Sequence, residues 1–300
     1  MKQYPDLEEF IIGSLENVIA VAPETIVFVA GGTRRKAATM GLSTESDAYA
    51  AWTRRQMIAC FDLIFQHGVK NIFTPMLGPT NFNEVGKYRE RLVDWITWGL
   101  SGEDALADYK RLGWRVRLLT DETIPKLKAT AEDLRNITPT SYEHTLWIHV
   151  VPDAELPWRW MLSAVKDSNA NTRQEVVRAL YGEDIPPVSL YLGHGKPEIF
   201  DEFLPLLTGK VQCYWRQNLG YDLDERLLRT ILYDYAYTRA TWREDKAGRA
   251  EKALKYSGIW EKDAVVGLGT RLGPFWYPTP TPTPFDERQH SGAGQHLDLF

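Results

Sequence analysis

Only two cysteines occur in 300 residues, Cys60 and Cys213, and both lie inside apolar segments. No CxxC pair and no cysteine–histidine cluster at zinc spacing exists, so no structural zinc site is expected. Two buried free thiols suit a reducing compartment. Positive charge is not in excess: 35 Lys and Arg against 40 Asp and Glu leave a net charge of −5. That argues against general affinity for nucleic acid, which needs clustered cations to displace counterions. No apolar run approaches the ~20 residues that span a bilayer. The first residues, MKQYPD, lack a basic stretch followed by an apolar one, so no secretory leader is expected. The expectation is a soluble, cytoplasmic protein.

What is plentiful is aromatic. Phe, Trp and Tyr make up 12% of the chain, with eleven Trp and fourteen Tyr. Such residues serve as core anchors, or line a cavity that holds an apolar ligand or a cation over ring faces.

The hydrophobic pattern alternates between short β-branched runs and helical stripes. Strands are expected at 25–30, 69–76, 114–119, 145–151, 188–192 and 210–215, and helices at 87–100, 123–136, 171–181 and 225–239. A long helix should start near Ser43 and Thr44, with Ala48, Trp52, Ala59, Cys60, Leu63 and Ile64 on one apolar face and Gly68 closing it. Strands separated by helices of ten or more residues predict an α/β fold with a mainly parallel central sheet flanked by helices. Residues 1–277 read as one domain. Residues 278–300, opening on PTPTPTP, read as an extended and polar tail. Ligands of parallel sheets gather beyond the carboxyl ends of strands, which directs attention to the loops after residues 30, 76, 192 and 215.

The first of these loops is Gly31-Gly32-Thr33-Arg34-Arg35-Lys36. Glycines let the backbone approach a ligand, and two arginines with planar forks beside a lysine suit a phosphate or diphosphate. The segment matches neither a Walker loop nor a GxGxxG fingerprint, and a solvated basic turn is the structural alternative. Gly193-His194-Gly195-Lys196 follows another strand at the same sheet edge. By itself this segment also reads as a solvated turn, but two Gly/basic loops on one sheet edge favour a joint anion pocket over either alone.

Four segments in order, VFVAGGTRRKA, IFQHGVKNIFTPM, LLRTILYDYAYTR and VGLGTRLGPFWY, resemble the cis-prenyltransferase superfamily and, within it, the terpene-synthase branch. The resemblance spans roughly residues 20–275. It implies the fold of that superfamily, a homodimer, and a prenyl diphosphate substrate, for this branch a labdane-type bicyclic C20 diphosphate. It also implies diphosphate contact by Gly31, Gly32, Thr33, Arg34 and Arg35, with His194 and Lys196 on the second loop. Tyr49 matches an active-site tyrosine of the branch, so Tyr49 and Arg35 are the expected catalytic pair. Asn81 and Phe82 match residues lining the prenyl pocket in chain-elongating relatives. Magnesium is implied as cofactor, yet the two carboxylate positions of the superfamily fall on Gly31 and Gln212 here. Asp47, Asp121 and Glu198 are the acids nearest in sequence to the loops concerned. The activity implied is removal of diphosphate from a prenyl diphosphate, with the carbocation quenched by deprotonation or water. The other outcomes to weigh are an accessory subunit of a prenyltransferase and prenyl transfer to a small acceptor.

Overall fold

The structure is a computed structural model that describes residues 4–139, 142–203, 205–207 and 209–239, and beyond these 247–248, 250–251, 254, 269–272 and 275–278. The chain divides into two compact units, Met1–Ala240 and Thr241–Phe300. The division falls inside the stretch that the sequence presents as one domain. In the second unit β7 (Gly269–Leu272) and β8 (Phe275–Pro278) form an antiparallel pair. The tail expected from 278 lies outside the described residues apart from 278 itself.

In the first unit β1 (Thr25–Phe28), β2 (Asn71–Leu77), β3 (Trp114–Thr120), β4 (His144–Val150), β5 (Leu190–His194) and β6 (Gln212–Arg216) form one parallel sheet in the order β3-β4-β2-β1-β5-β6. The helices are α1 (Leu7–Ile12), α2 (Leu15–Ile19), α3 (Thr33–Thr39), α4 (Asp47–Gln66), α5 (Pro79–Phe82), α6 (Lys87–Ser101), α7 (Glu103–Leu112), α8 (Pro125–Ile137), α9 (Leu156–Ser168), α10 (Arg173–Tyr181) and α11 (Glu225–Tyr233). A π-helical turn, Asp234–Thr238, continues α11.

The strands are apolar on both faces because helices cover both. Ile26 and Phe28 of β1 pack with Phe61 and Ile64 of α4. Val27, between them, packs on the opposite face with Phe73, Trp147, Val177 and Tyr191. That is the side-chain alternation of a strand buried twice. Burying each of these large side chains contributes about 1.5–3 kcal/mol. At the start of α4 the Ser46 hydroxyl accepts from the Tyr49 amide, three residues later than Ser43 and two later than Thr44. Ser43 instead accepts the Ser46 hydroxyl on its carbonyl.

Strand order fixes where a ligand can bind. From β1 the chain first builds outward through β2, and only later returns to lay β5 on β1's other side. The crevice at such a switch opens beyond the carboxyl ends of the two neighbours, here β1 and β5.

His149, near the end of β4, is fully buried among Phe73, Tyr181 and Phe203, with ring centroids 6.1, 6.2 and 4.8 Å away. Burial lowers its pKa from 6.5 to about 3, although approach to the Glu202 backbone acts the other way. Neither ring nitrogen makes a hydrogen bond of good geometry among the described residues. The unfolded chain takes up this proton below about 6.5, and the folded chain only below about 3. Stability from this group is therefore full above 6.5 and declines as pH falls toward 3, at up to ~1.4 kcal/mol per pH unit. The thermal midpoint should drop through that window, and His149→Phe should flatten the slope by about one proton. An unchanged slope in the variant would remove His149 as the cause.

Candidate active site

Beyond Phe28 the Val29 amide donates to Leu192 of β5 at 2.9 Å, which holds the exit of β1 against its neighbour. The chain then turns through Ala30, Gly31 and Gly32 into α3. Gly32 has φ +85°, in the left-handed region open to glycine. The Gly220 amide donates to the Gly31 carbonyl at 2.7 Å, which ties the turn to the 217–222 loop. That loop is held by Arg216, whose guanidinium donates to the carbonyls of Asn218 and Asp222 at 3.0 Å each, and to that of Gly220. Thr33, Arg34, Arg35 and Lys36 stand in the first turn of α3 rather than in an open loop. His194 is likewise the last residue of β5, at the level of Arg216 in β6.

The three cations have different partners. Arg34 donates two parallel hydrogen bonds to Glu84, at 2.7 and 2.8 Å, and lies 4.5 Å from the Tyr88 ring centre. Lys36 pairs with Asp222 at 2.6 Å. Arg35 donates through Nη2 to His194 Nε2 at 3.0 Å. A guanidinium has no acceptor, so Nε2 accepts and the ring is neutral with its proton on Nδ1. The Asn218 backbone lies near the ring, and Nδ1 makes no hydrogen bond of good geometry among the described residues. Burial, then the charges of Arg216 and Arg35, lower the His194 pKa to about 4. Lys196 is exposed two residues beyond.

Behind the turn is a cavity of about 120 Å³ under α4 and α6, walled by Met57, Leu77, Leu92 and Ile96 on its apolar sides. Its aromatic members are Tyr49, Tyr88, Trp95 and Tyr221. Tyr49 packs edge-on to Trp95 at 6.0 Å, as does Tyr88 at 5.9 Å. Burial raises the Tyr88 pKa, followed by the neighbouring Tyr49. Thr33 joins cavity and turn, since its hydroxyl is 3.1 Å from the Tyr49 hydroxyl. The structure thus brings Gly31, Gly32, Thr33, Arg35, Tyr49 and His194 to one place, with Arg34 turned to Glu84.

Asn81 and Phe82 are not among the residues that line this cavity. Asn81 Oδ1 accepts from the Gly78 amide at 3.0 Å, capping its own short helix α5. Phe82 lies beneath the Arg89 guanidinium at 5.2 Å.

Position 31 leaves no room for the carboxylate implied there. A Cβ on Gly31 would fall 2.5 Å from His194 Cδ2 and 3.1 Å from Cγ. Gln212 opens β6, four residues before Arg216, so it lies about 13 Å along the strand from the His194 level. Its amide donates to the Tyr235 carbonyl at 3.3 Å. Asp47 accepts from the Trp95 indole at 2.8 Å. Asp121 follows β3, three strands from β1, and Glu198 is exposed. Among the described residues no three His, Cys, Asp or Glu gather where they could hold a metal ion. Neither family carboxylate position thus supplies an acid at this turn, and the acids beside it, Glu84 and Asp222, are paired with Arg34 and Lys36.

Glu84, Tyr88 and Arg216 escaped the sequence reading. Glu84 is 50 residues from Arg34 and Tyr88 is 39 from Tyr49, separations that no local periodicity reveals.

No family model matches the chain. Among solved structures, lavandulyl diphosphate synthase from Lavandula x intermedia, in complex with dimethylallyl diphosphate, superposes with a TM-score of 0.56 at 16% identity, over 73% of this chain and 97% of that one. A probable undecaprenyl diphosphate synthase from Campylobacter jejuni gives 0.51 at 14%, over 75% and 98%. These likenesses show the fold. In sequence, the tuberculosinyl adenosine transferase of Mycobacterium tuberculosis is 26% identical, covering 79% of this chain and 83% of that protein. The (+)-kolavelool synthase of Herpetosiphon aurantiacus is 42% identical over 283 residues, covering 94% of this chain and 98% of that protein. The chain belongs to the terpene-synthase branch of the cis-prenyltransferase superfamily. The family resemblance and the parallel α/β fold expected from sequence are borne out. In this cis-prenyltransferase-type chain no described helix is long and apolar enough to cross a membrane.

Proposed function

We propose that the protein is a diterpene synthase that takes a preformed C20 prenyl diphosphate, of the labdane-type bicyclic class, and expels its diphosphate at the Gly31–Arg35 turn. The allylic C–O bond breaks and its electron pair leaves with the diphosphate. The carbocation then either loses a proton to a base, or bonds a water oxygen that releases one. The reading rests above all on the Thr33–Tyr49 hydrogen bond, which sets a cationic turn and an aromatic cavity edge to edge. Arg35 would receive the growing negative charge, where preorganised donors act most strongly in a dry site. Tyr49, Tyr88 and Trp95 would present ring faces to the cation. The relative named kolavelool synthase supports the same class of product. The cavity is smaller than the ~300–1,000 Å³ usual for such sites, so a C20 skeleton enters by displacing wall side chains. Met57 and Met76 on that wall are the most adaptable.

An intact basic turn backed by an aromatic cavity favours an enzyme over an accessory subunit. The homodimer and the cytoplasmic location belong to the same proposal, and sedimentation and fractionation check them. The decisive assay incubates purified protein with farnesyl, geranylgeranyl and copalyl diphosphates, with and without magnesium, and separately with adenosine. Organic extracts and aqueous phases are then analysed by mass spectrometry. A diterpene alcohol or hydrocarbon is expected; a prenylated nucleoside would move the reading to transfer, as in the tuberculosinyl relative. No product from any substrate, with stable binding to another prenyltransferase, would overturn it. Tyr49→Phe keeps the ring and removes the hydroxyl, and should slow turnover at least about tenfold if the phenol relays the proton. An unchanged rate would confine Tyr49 to packing.

A further inference from the structure

We infer that His194 is a positioning residue for Arg35, fixing the guanidinium at the mouth of the turn from the space that a side chain at position 31 would need. The inference rests on the proposed diphosphate site and says how that site is aimed.

Three observations converge. First, a directed hydrogen bond joins α3 to the end of β5 at this edge, Arg35 Nη2 to His194 Nε2 at 3.0 Å. A guanidinium on three flexible carbons loses much rotamer freedom when held, and a fixed acceptor meets that cost before ligand arrives. Second, the backbone that carries the ring is itself fixed. It closes β5 opposite Arg216, and the next amide, Gly195, donates to the Arg216 carbonyl at 3.0 Å. Arg216 in turn holds the 217–222 loop, whose Gly220 grips the Gly31 carbonyl. Third, the imidazole fills the space in front of both glycines. Its Cδ2 would be 2.5 Å from a Cβ at 31, and its Nε2 3.2 Å from one at 32. Glycine at 31 and histidine at 194 are thus one steric unit. Because the acceptor is neutral, this contact itself takes no charge from Arg35. The carboxylate partners of Arg34 and Lys36 must be displaced or shared by any anion that engages them.

The test combines a tautomer measurement, binding and kinetics. Nitrogen-15 spectra of the imidazole should show a neutral ring protonated on Nδ1 at pH 7. A ring protonated on Nε2 cannot accept from Arg35 and would overturn the inference. His194→Phe keeps a flat ring without an acceptor, whereas His194→Gln keeps an acceptor oxygen. Calorimetric titration with inorganic pyrophosphate should show tenfold or greater weakening in the Phe variant, with folding intact by thermal melt, and substantial recovery in the Gln variant. The loss should fall mainly on kcat, because aim matters most as charge develops on the leaving group. Equal pyrophosphate binding by wild type and the Phe variant would overturn the inference while leaving the diphosphate site standing. Failure of wild type itself to bind pyrophosphate or form product would remove the site, and the inference with it.

Discussion

Arg35→Ala should lower turnover of the prenyl diphosphate by about 10²–10³-fold, the usual cost of removing one preorganised donor from a developing negative charge. Its melting temperature should stay close to wild type. The Arg35 hydrogen bond to the half-buried His194 imidazole is worth only about 0.5–1.5 kcal/mol net. The two flanking cations provide the contrast. Arg34 is clamped by Glu84 through two hydrogen bonds and half-covers Tyr88, so it reaches an anion only by leaving that clamp. Arg34→Ala should therefore cost less in kcat than Arg35→Ala and should disturb the cavity wall through Tyr88. Arg35→Lys should recover little, because an ammonium does not reproduce the planar fork that pairs with two phosphate oxygens. Single-turnover rates with saturating substrate isolate the chemical step. An Arg35→Ala enzyme with an unchanged single-turnover rate would remove this residue from the leaving-group contact.

Much of the frame behind that prediction was legible in the sequence, for identifiable reasons. The run 25–30 is short, apolar and β-branched, and ends in two glycines, so β1 and its turn could be read locally. α7 and α9 went unread. α9 buries only Leu156 and Pro157 while Trp158, Leu162 and Val165 face outward, so its apolar residues trace no core stripe. The 225–239 helix was read as continuous, but the chain widens into a π-helical turn at 234, where Tyr214 donates to Asp234 at 2.7 Å. The site divided in the same way. Residues carried by the turn itself were visible, because glycine and arginine announce their conformational and chemical uses. Residues supplied by distant elements were not, because strand order places them there: Glu84 from the α5–α6 connection, Tyr88 from α6 and Arg216 from β6. The Gln212 position shows the converse. It was matched as a second metal-linked site, yet the parallel register of β5 with β6 puts it at the opposite end of the strand.

Placing an acid at position 31 is the substitution that the family resemblance most invites, and the geometry predicts that it fails on its own. Any Cβ there would stand 2.5 Å from His194 Cδ2. The Gly31 backbone cannot withdraw without breaking the 2.7 Å bond from Gly220, and His194 cannot withdraw without releasing Arg35. Overpacking of this kind typically costs about 1–3 kcal/mol, which for a chain of this size lowers the melting temperature by roughly 2–4 °C per kcal/mol. Gly31→Ala should do nearly the same damage as Gly31→Asp, because the offending atom is the Cβ and not the carboxylate. Both should also lose turnover by more than tenfold as the imidazole swings away from Arg35, and added magnesium should not restore it. Combining Gly31→Asp with His194→Gly removes the collision. The double variant should then be more stable than the sum of the single effects predicts, with a coupling of about 0.5–3 kcal/mol, as expected of residues in contact. Thermal melts of the four proteins close this cycle, and turnover with and without magnesium accompanies it. If Gly31→Asp alone melts with wild type and gains activity in magnesium, the steric pairing of Gly31 with His194 is refuted, and the turn must open further than its hydrogen bonds allow.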